Sequence, residues 1–183
     1  PQHMGPSNPL FVSPSEYKAT MVGFPYDDLV GWCTIYPVDI WISQMNKVAE
    51  GFNEGCKILR EAYGKAPKLI RPKIYTDLLR AEAVRIHCLS CASQAAFVDL
   101  RNRYLATEDK KKKKDCLVDM YTWVYKEQEN VKSMLPIVKE DPTIGYESSN
   151  QYFYLPIDLV EKYINLNAVL KWLQSEEKQT ADT

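Results

Sequence analysis

Histidine is nearly missing from this chain: His3 and His87 are the only two in 183 residues. That scarcity removes Ser–His–Asp catalysis and histidine-rich metal centres, and no Gly-rich phosphate loop offers another chemistry. Excess charge of one sign is missing too. The 23 basic residues are balanced by 24 acidic ones, for a net charge of -1. A nucleic-acid binder normally carries a basic face, so nucleic acid is not an expected partner. No apolar run approaches the ~20 residues of a membrane span. The opening residues show no secretory leader pattern; "PQHMGPSNP" reads as a truncation or a cloning junction, and the chain is expected to be a piece of a longer protein.

Five cysteines leave at least one thiol unpaired. Cys88 and Cys91 form a CxxC, but inside "AEAVRIHCLSCASQAAFVDL", a strongly helical stretch. A redox CxxC belongs at a helix N-terminus, where the thiolate is stabilised, and a zinc knuckle needs a second ligand pair. Both cysteines are expected to be small buried residues in a helix–helix seam. Neither a cofactor nor a metal is expected.

Hydrophobic content of 45% with 26% charged residues supports a packed core. Residues 1–36 contain Pro1, Pro6, Pro9, Pro14 and Pro25, too many prolines for a long helix. Phe11, Tyr17, Phe24, Tyr26, Trp32 and Tyr36 punctuate the same stretch, and disordered tails are poor in such rings. The reading is an irregular arm that packs on something.

Four helical patterns follow. Trp41, Met45, Val48, Phe52, Cys56, Leu59 and Tyr63 recur at steps of three and four, forming one apolar stripe. Gly51 and Gly55 on this helix are expected to admit a close neighbour, and Gly64 to cap its end. From about Lys73 to Leu105 the pattern is apolar nearly all round, which marks a central helix. Its Arg80, Glu82, Arg85 and Gln94 must reach solvent or pair inside. "TEDKKKKKD" is read as a solvated turn. Leu117, Met120, Val124, Val131, Leu135 and Val138 give the third helix; Leu159, Tyr163, Leu166, Leu170 and Leu173 give the fourth. The expected fold is all-α: a four-helix-type bundle over residues 37–175, preceded by the aromatic-rich arm and followed by a polar tail at 176–183.

Two helix entrances rhyme. "YPVDIW" at Tyr36–Trp41 and "LPIDLV" at Leu155–Val160 both place proline at the entry and aspartate in the first turn. Asp39 and Asp158 therefore suit the positive helix end better than catalysis. A ring-rich, polar stretch precedes each entrance. In "GYESSNQYFY", Gly145 is free to take positive φ, and Tyr146, Tyr152, Phe153 and Tyr154 alternate with turn residues. Such rings either seal the end of a bundle or form a surface for a neighbouring domain or a ligand. The candidate surface residues are Tyr26, Asp27, Asp28, Trp32, Tyr146, Glu147, Asn150, Tyr152 and Tyr154.

Three stretches, "GFPYDDLVGWCTIYPVDIWISQMNKVAEGFNEG", "LLRAEAVRIHCLSCASQAAFVDLR" and "DPTIGYESSNQYFYLPIDLVEKYIN", resemble the C-terminal helical region of large glycoside-hydrolase-like proteins from polysaccharide-degrading bacteria. The resemblance covers most of residues 20–166. It implies catalytic carboxylates in an upstream domain of the same parent chain and none here. It further implies a glycan-processing parent, periplasmic or extracellular, with this chain as a scaffold or a contributor to the substrate cleft. The upstream catalytic domain and a glycan are then the expected partners. The alternatives are a free-standing helical interaction module and, more weakly, a small hydrolase using Asp27 or Glu147.

Overall fold

The computed structural model describes residues 4–15, 27–145 and 154–182. Their regular structure is all helical, with no strand among them. Five helices follow in order: α1 (Leu29–Cys33), α2 (Val38–Lys65), α3 (Arg71–Ala106), α4 (Lys110–Glu140) and α5 (Pro156–Asp182). None of them is long and apolar enough to cross a membrane.

The long helices pack in chain order, α2 on α3, α3 on α4 and α4 on α5. The side chains of α3 and α5 also meet, where Tyr104 and Trp172 form an edge-to-face pair with ring centroids 6.0 Å apart. Helices α3, α4 and α5 thus enclose the core. Fully buried Phe97, Met120, Met134, Leu159, Leu166 and Leu173 lie at its centre. Helix α3 is the most covered of the five, as its nearly all-round apolar pattern requires.

Helix α2 differs from its expected role. Of the seven residues in its stripe only Cys56 is buried, and Val48, Phe52 and Tyr63 are exposed. One long neighbour covers only a narrow strip of a helix, and the pattern is wider than that strip. A Cβ built on Gly51 or Gly55 meets nothing within 4 Å, so neither glycine lies in a seam. Gly64 does not end the helix either, which continues to Lys65 with Ala66 as its C-cap.

Three further differences have local causes. The short helix α1 lies inside the arm, started by Asp28, whose carboxylate accepts from Gly31 N at 3.0 Å; five residues are too few to show a period. The lysine run is not a turn but the first turns of α4. Lysine is a good helix former, and Asp109 caps the end by accepting from Lys111 N at 2.9 Å and Lys112 N at 3.2 Å. Residues 176–182, read as tail, are the last turns of α5, where Glu176 accepts from the Tyr104 hydroxyl at 2.6 Å. Burial and this carboxylate push the Tyr104 hydroxyl up to about 12.

Candidate functional site

The described part of the arm, residues 4–15, runs without regular structure over α3 and α5. An extended segment on a helical surface has no strand to pair with, so side chains must satisfy its peptide groups. Gln94 of α3 both accepts from Gly5 N at 3.4 Å and donates to Gly5 O. Asn165 of α5 does the same for Leu10, at 2.8 and 3.0 Å. Lys162 donates to Asn8 O. Arg101 donates to Phe11 O at 2.9 Å and Ser13 O at 3.2 Å, and pairs with Asp27 at 2.6 Å.

Beneath the arm lies a polar layer. Gln94, Glu127 and Lys162 come from α3, α4 and α5, and all three are buried. Each sits three residues after and four before a buried apolar residue: Cys91 and Val98, Val124 and Val131, Leu159 and Leu166. The helical period therefore aims all three into the core. Glu127 accepts from the Ser90 hydroxyl at 2.5 Å and from Asn130 Nδ2 at 3.0 Å, and lies 3.4 Å from Lys162 Nζ. Burial lowers the pKa of Lys162, with the Glu127 charge opposing.

The layer leads outward to His87 and Tyr154. The Tyr154 hydroxyl is hydrogen-bonded to His87 Nδ1, and His87 Nε2 lies 3.4 Å from Cys91 Sγ. Burial holds the His87 pKa down against the nearby Glu127 charge, which favours the neutral imidazole. Burial also pushes up the Cys88, Cys91 and Tyr154 pKa values. The Cys91–His87 contact therefore lacks the thiolate that nucleophilic chemistry needs. All five cysteines are buried and unbonded, and the described residues hold no group of three His, Cys, Asp or Glu able to bind a metal ion.

Two glycines let the backbone approach this pair. Gly5 has φ +133°, and a Cβ on it would stand 3.1 Å from His87 Nδ1. Gly145 has φ +78°, as the turn reading anticipated, and a Cβ there would enter the Tyr154 ring. Asp141 sets up that turn by accepting from Thr143 N at 3.0 Å and Thr143 Oγ1 at 2.6 Å, contacts that hold its carboxyl below the usual range. His87, Tyr154, Thr143, Ile144 and Gly145 line a cavity of about 340 Å³ together with Arg80.

Of the nine candidate surface residues, Tyr26, Tyr146, Glu147, Asn150 and Tyr152 lie outside the described residues. Of the other four, Asp27, Asp28 and Trp32 lie together at the start of α1, where Trp32 N donates to Asp28 O at 3.0 Å, while Tyr154 stands apart from them. Asp27 is buried against Arg101 and also accepts from Ser15 N at 3.0 Å, so it clips the arm. Asp28 caps α1. Trp32 is half-buried, and its indole N–H is buried without a partner among the described residues. Tyr154 lies at His87, fourteen residues along α3 from Arg101, or about 21 Å at 1.5 Å per residue. Asp27, at Arg101, and Tyr154, at His87, therefore meet α3 at different levels. Sequence reasoning marked Gln94 as a residue that must reach solvent or pair inside, and missed the other arm clamps Arg101, Lys162 and Asn165. Their one signal was a polar residue standing at a stripe position. Compared with known proteins, the chain matches no family model, no curated protein and no solved structure.

Proposed function

We propose that this chain is a non-catalytic helical accessory domain of a glycan-processing, glycoside-hydrolase-like protein, a bundle of four-helix type whose ring-rich segments face an upstream catalytic domain or its glycan. The observation that supports this most is the cavity beside Tyr154. Gly145 and Tyr154, the described residues that flank the stretch carrying Glu147, Asn150 and Tyr152, both line it. The groups with catalytic potential inside the core support an accessory role. Glu127 and Lys162 are engaged with each other and with the arm, and Cys91 meets His87, the one of these four that also lines the cavity. The carbohydrate assignment rests on the resemblance of the three stretches quoted above.

Affinity electrophoresis of the chain through gels containing neutral plant and bacterial polysaccharides tests the reading. At least one polysaccharide should retard the chain, and Glu147→Ala and Tyr152→Ala should reduce the retardation. No retardation in any gel, with Glu147→Ala also leaving turnover by the longer parent unchanged, would reject it.

A second reading, a helical protein-interaction module, is favoured by the open side of α2. Val48, Phe52, Ile58 and Tyr63 are exposed there, and grouped exposed apolar side chains are a mark of protein-interaction surfaces.

A further inference from the structure

The connection between α2 and α3 is a basic tip with an apolar point. Residues 62–76 carry Lys65, Lys68, Arg71 and Lys73 and no acidic residue, in a chain of 23 basic and 24 acidic residues. Pro67 and Pro72 restrict the backbone. Ile70 N and Arg71 N both donate to Pro67 O, at 2.9 and 3.3 Å. The Arg71 side chain braces the turn, with Nε on Ala66 O at 3.0 Å and Nη2 on Gly64 O at 3.4 Å. On this fixed turn Leu69 is 89% exposed and Ile70 46%. A loop that only reversed the chain would place Gly, Asn, Asp or Ser there.

The tip projects beyond the end of α4. Thr143, just past that end, lines a cavity with Arg80, so α4 stops level with Arg80. The nine α3 residues before Arg80 run on for about 14 Å at 1.5 Å per residue. Helix α2 accompanies them, and Tyr63 and Tyr75 pair across the two helices with ring centroids 6.1 Å apart.

Local structure accounts for only part of the charge. Arg71 satisfies carbonyls at the end of α2. Lys65 stands 4.0 Å from Glu61, and both side chains are largely exposed. Lys68 and Lys73 have no side-chain partner among the described residues. Lys73 lies in the first turn of α3, which holds no acidic residue, and a cation there opposes the helix dipole.

We propose that this tip docks on the surface of an anionic lipid bilayer. Leu69 and Ile70 enter the interfacial region, and Lys65, Lys68 and Lys73 meet the lipid phosphates. A soluble polyanion would match the lysines but leave Leu69 in water. An apolar protein pocket would match Leu69 but leave the lysines without countercharge. An anionic bilayer supplies both on one broad surface, which a projecting tip can reach. The proposal is independent of the glycan reading.

Flotation of the full chain with lipid vesicles tests it. Vesicles of equal parts phosphatidylcholine and phosphatidylglycerol should carry the chain upward at low salt, and vesicles of phosphatidylcholine alone should not. Lys68→Glu/Lys73→Glu should lower the partition roughly 25-fold or more, at about fivefold per lost charge. Leu69→Ser should lower it roughly tenfold. Leu69 is almost wholly in solvent, so its serine variant keeps the fold, and an unchanged circular dichroism spectrum checks this. No flotation with the mixed vesicles, equal flotation with phosphatidylcholine alone, or undiminished flotation of Leu69→Ser each overturns the proposal. Retention on heparin–agarose without flotation also overturns it and would assign the lysines to a soluble polyanion.

Discussion

Arg101 and Asp27 stand 74 positions apart in the chain, yet their charged groups meet at 2.6 Å with side chains only 1% and 5% exposed. The same guanidinium nitrogen holds two arm carbonyls. Removing one partner of a buried pair strands the other charge, so Arg101→Met should cost about 3–5 kcal/mol in urea unfolding. The same change should make residues 4–15 the first segment cut in limited proteolysis. In the double variant Arg101→Met/Asp27→Asn the cost should be less than the sum of the singles. A strictly additive result would mean that the two groups do not interact.

Gly51→Ala and Gly55→Ala should stabilise the chain. Both glycines lie inside α2, and neither has a neighbour where the new Cβ would go. Alanine then contributes only its better helix propensity, up to about 1 kcal/mol per site. The urea midpoint should rise for each variant. A fall would show that another surface covers this face of α2.

Gly145→Ala should do the reverse. Its φ of +78° is left-handed, and the new methyl would enter the Tyr154 ring. The backbone cost alone is about 1–2 kcal/mol, and displacement of the ring adds to it. Thermal melting should show the loss, and Tyr154 should become reactive toward tetranitromethane.

Acid should weaken the fold through His87. Its folded-state pKa lies below the ordinary 6.5 because burial disfavours the charged ring. A group depressed in this way adds its full stability above the unfolded value. That contribution shrinks as pH falls below 6.5, because the unfolded chain takes up the proton first. The melting temperature should therefore drop on going from neutral pH to below 6.5. His87→Gln should flatten the drop in that window. The response governed by Asp141, whose pKa is also lowered, begins only near its own unfolded value of 3.8.

The long helices were legible because large apolar residues recur on one face over several turns, as Leu117, Met120, Val124, Val131 and Val138 do, and all five are buried. Exposure of the α2 stripe was not legible, since periodicity reports which side is apolar and not whether a neighbour covers it. The helical lysine run was hidden because like charges read as loop, while the cap at Asp109 and the propensity of lysine decide otherwise. The polar layer was hidden for a different reason. Glu127 and Lys162 look like ordinary surface residues until an arm far away in sequence is laid beside them, and Gln94, which had to reach solvent or pair inside, gave no sign of which partner it would find. For the candidate surface, the turn at Asp141–Gly145 was readable from Asp, Pro and Gly, whereas the hold of His87 on Tyr154 joins positions 67 apart and leaves no local trace.

The clasp between the arm and α5 sets an order of events during synthesis. Asn8 is held by Lys162 and Leu10 by Asn165, partners 154 and 155 positions later. A chain made from its N-terminus emerges with the arm first and α5 last. Until α5 has left the ribosome, Lys162 and Asn165 do not exist to receive the arm, and Glu127 has no counter-ion in the core. Helices α2 to α4 can associate early through contacts between sequence neighbours, and Gln94 and Arg101 of α3 can already hold the arm at Gly5, Phe11 and Ser13, but the middle of the arm and the polar layer lock only in the final step. A chain stalled before residue 162 would carry a half-clasped arm and an unpaired internal carboxylate.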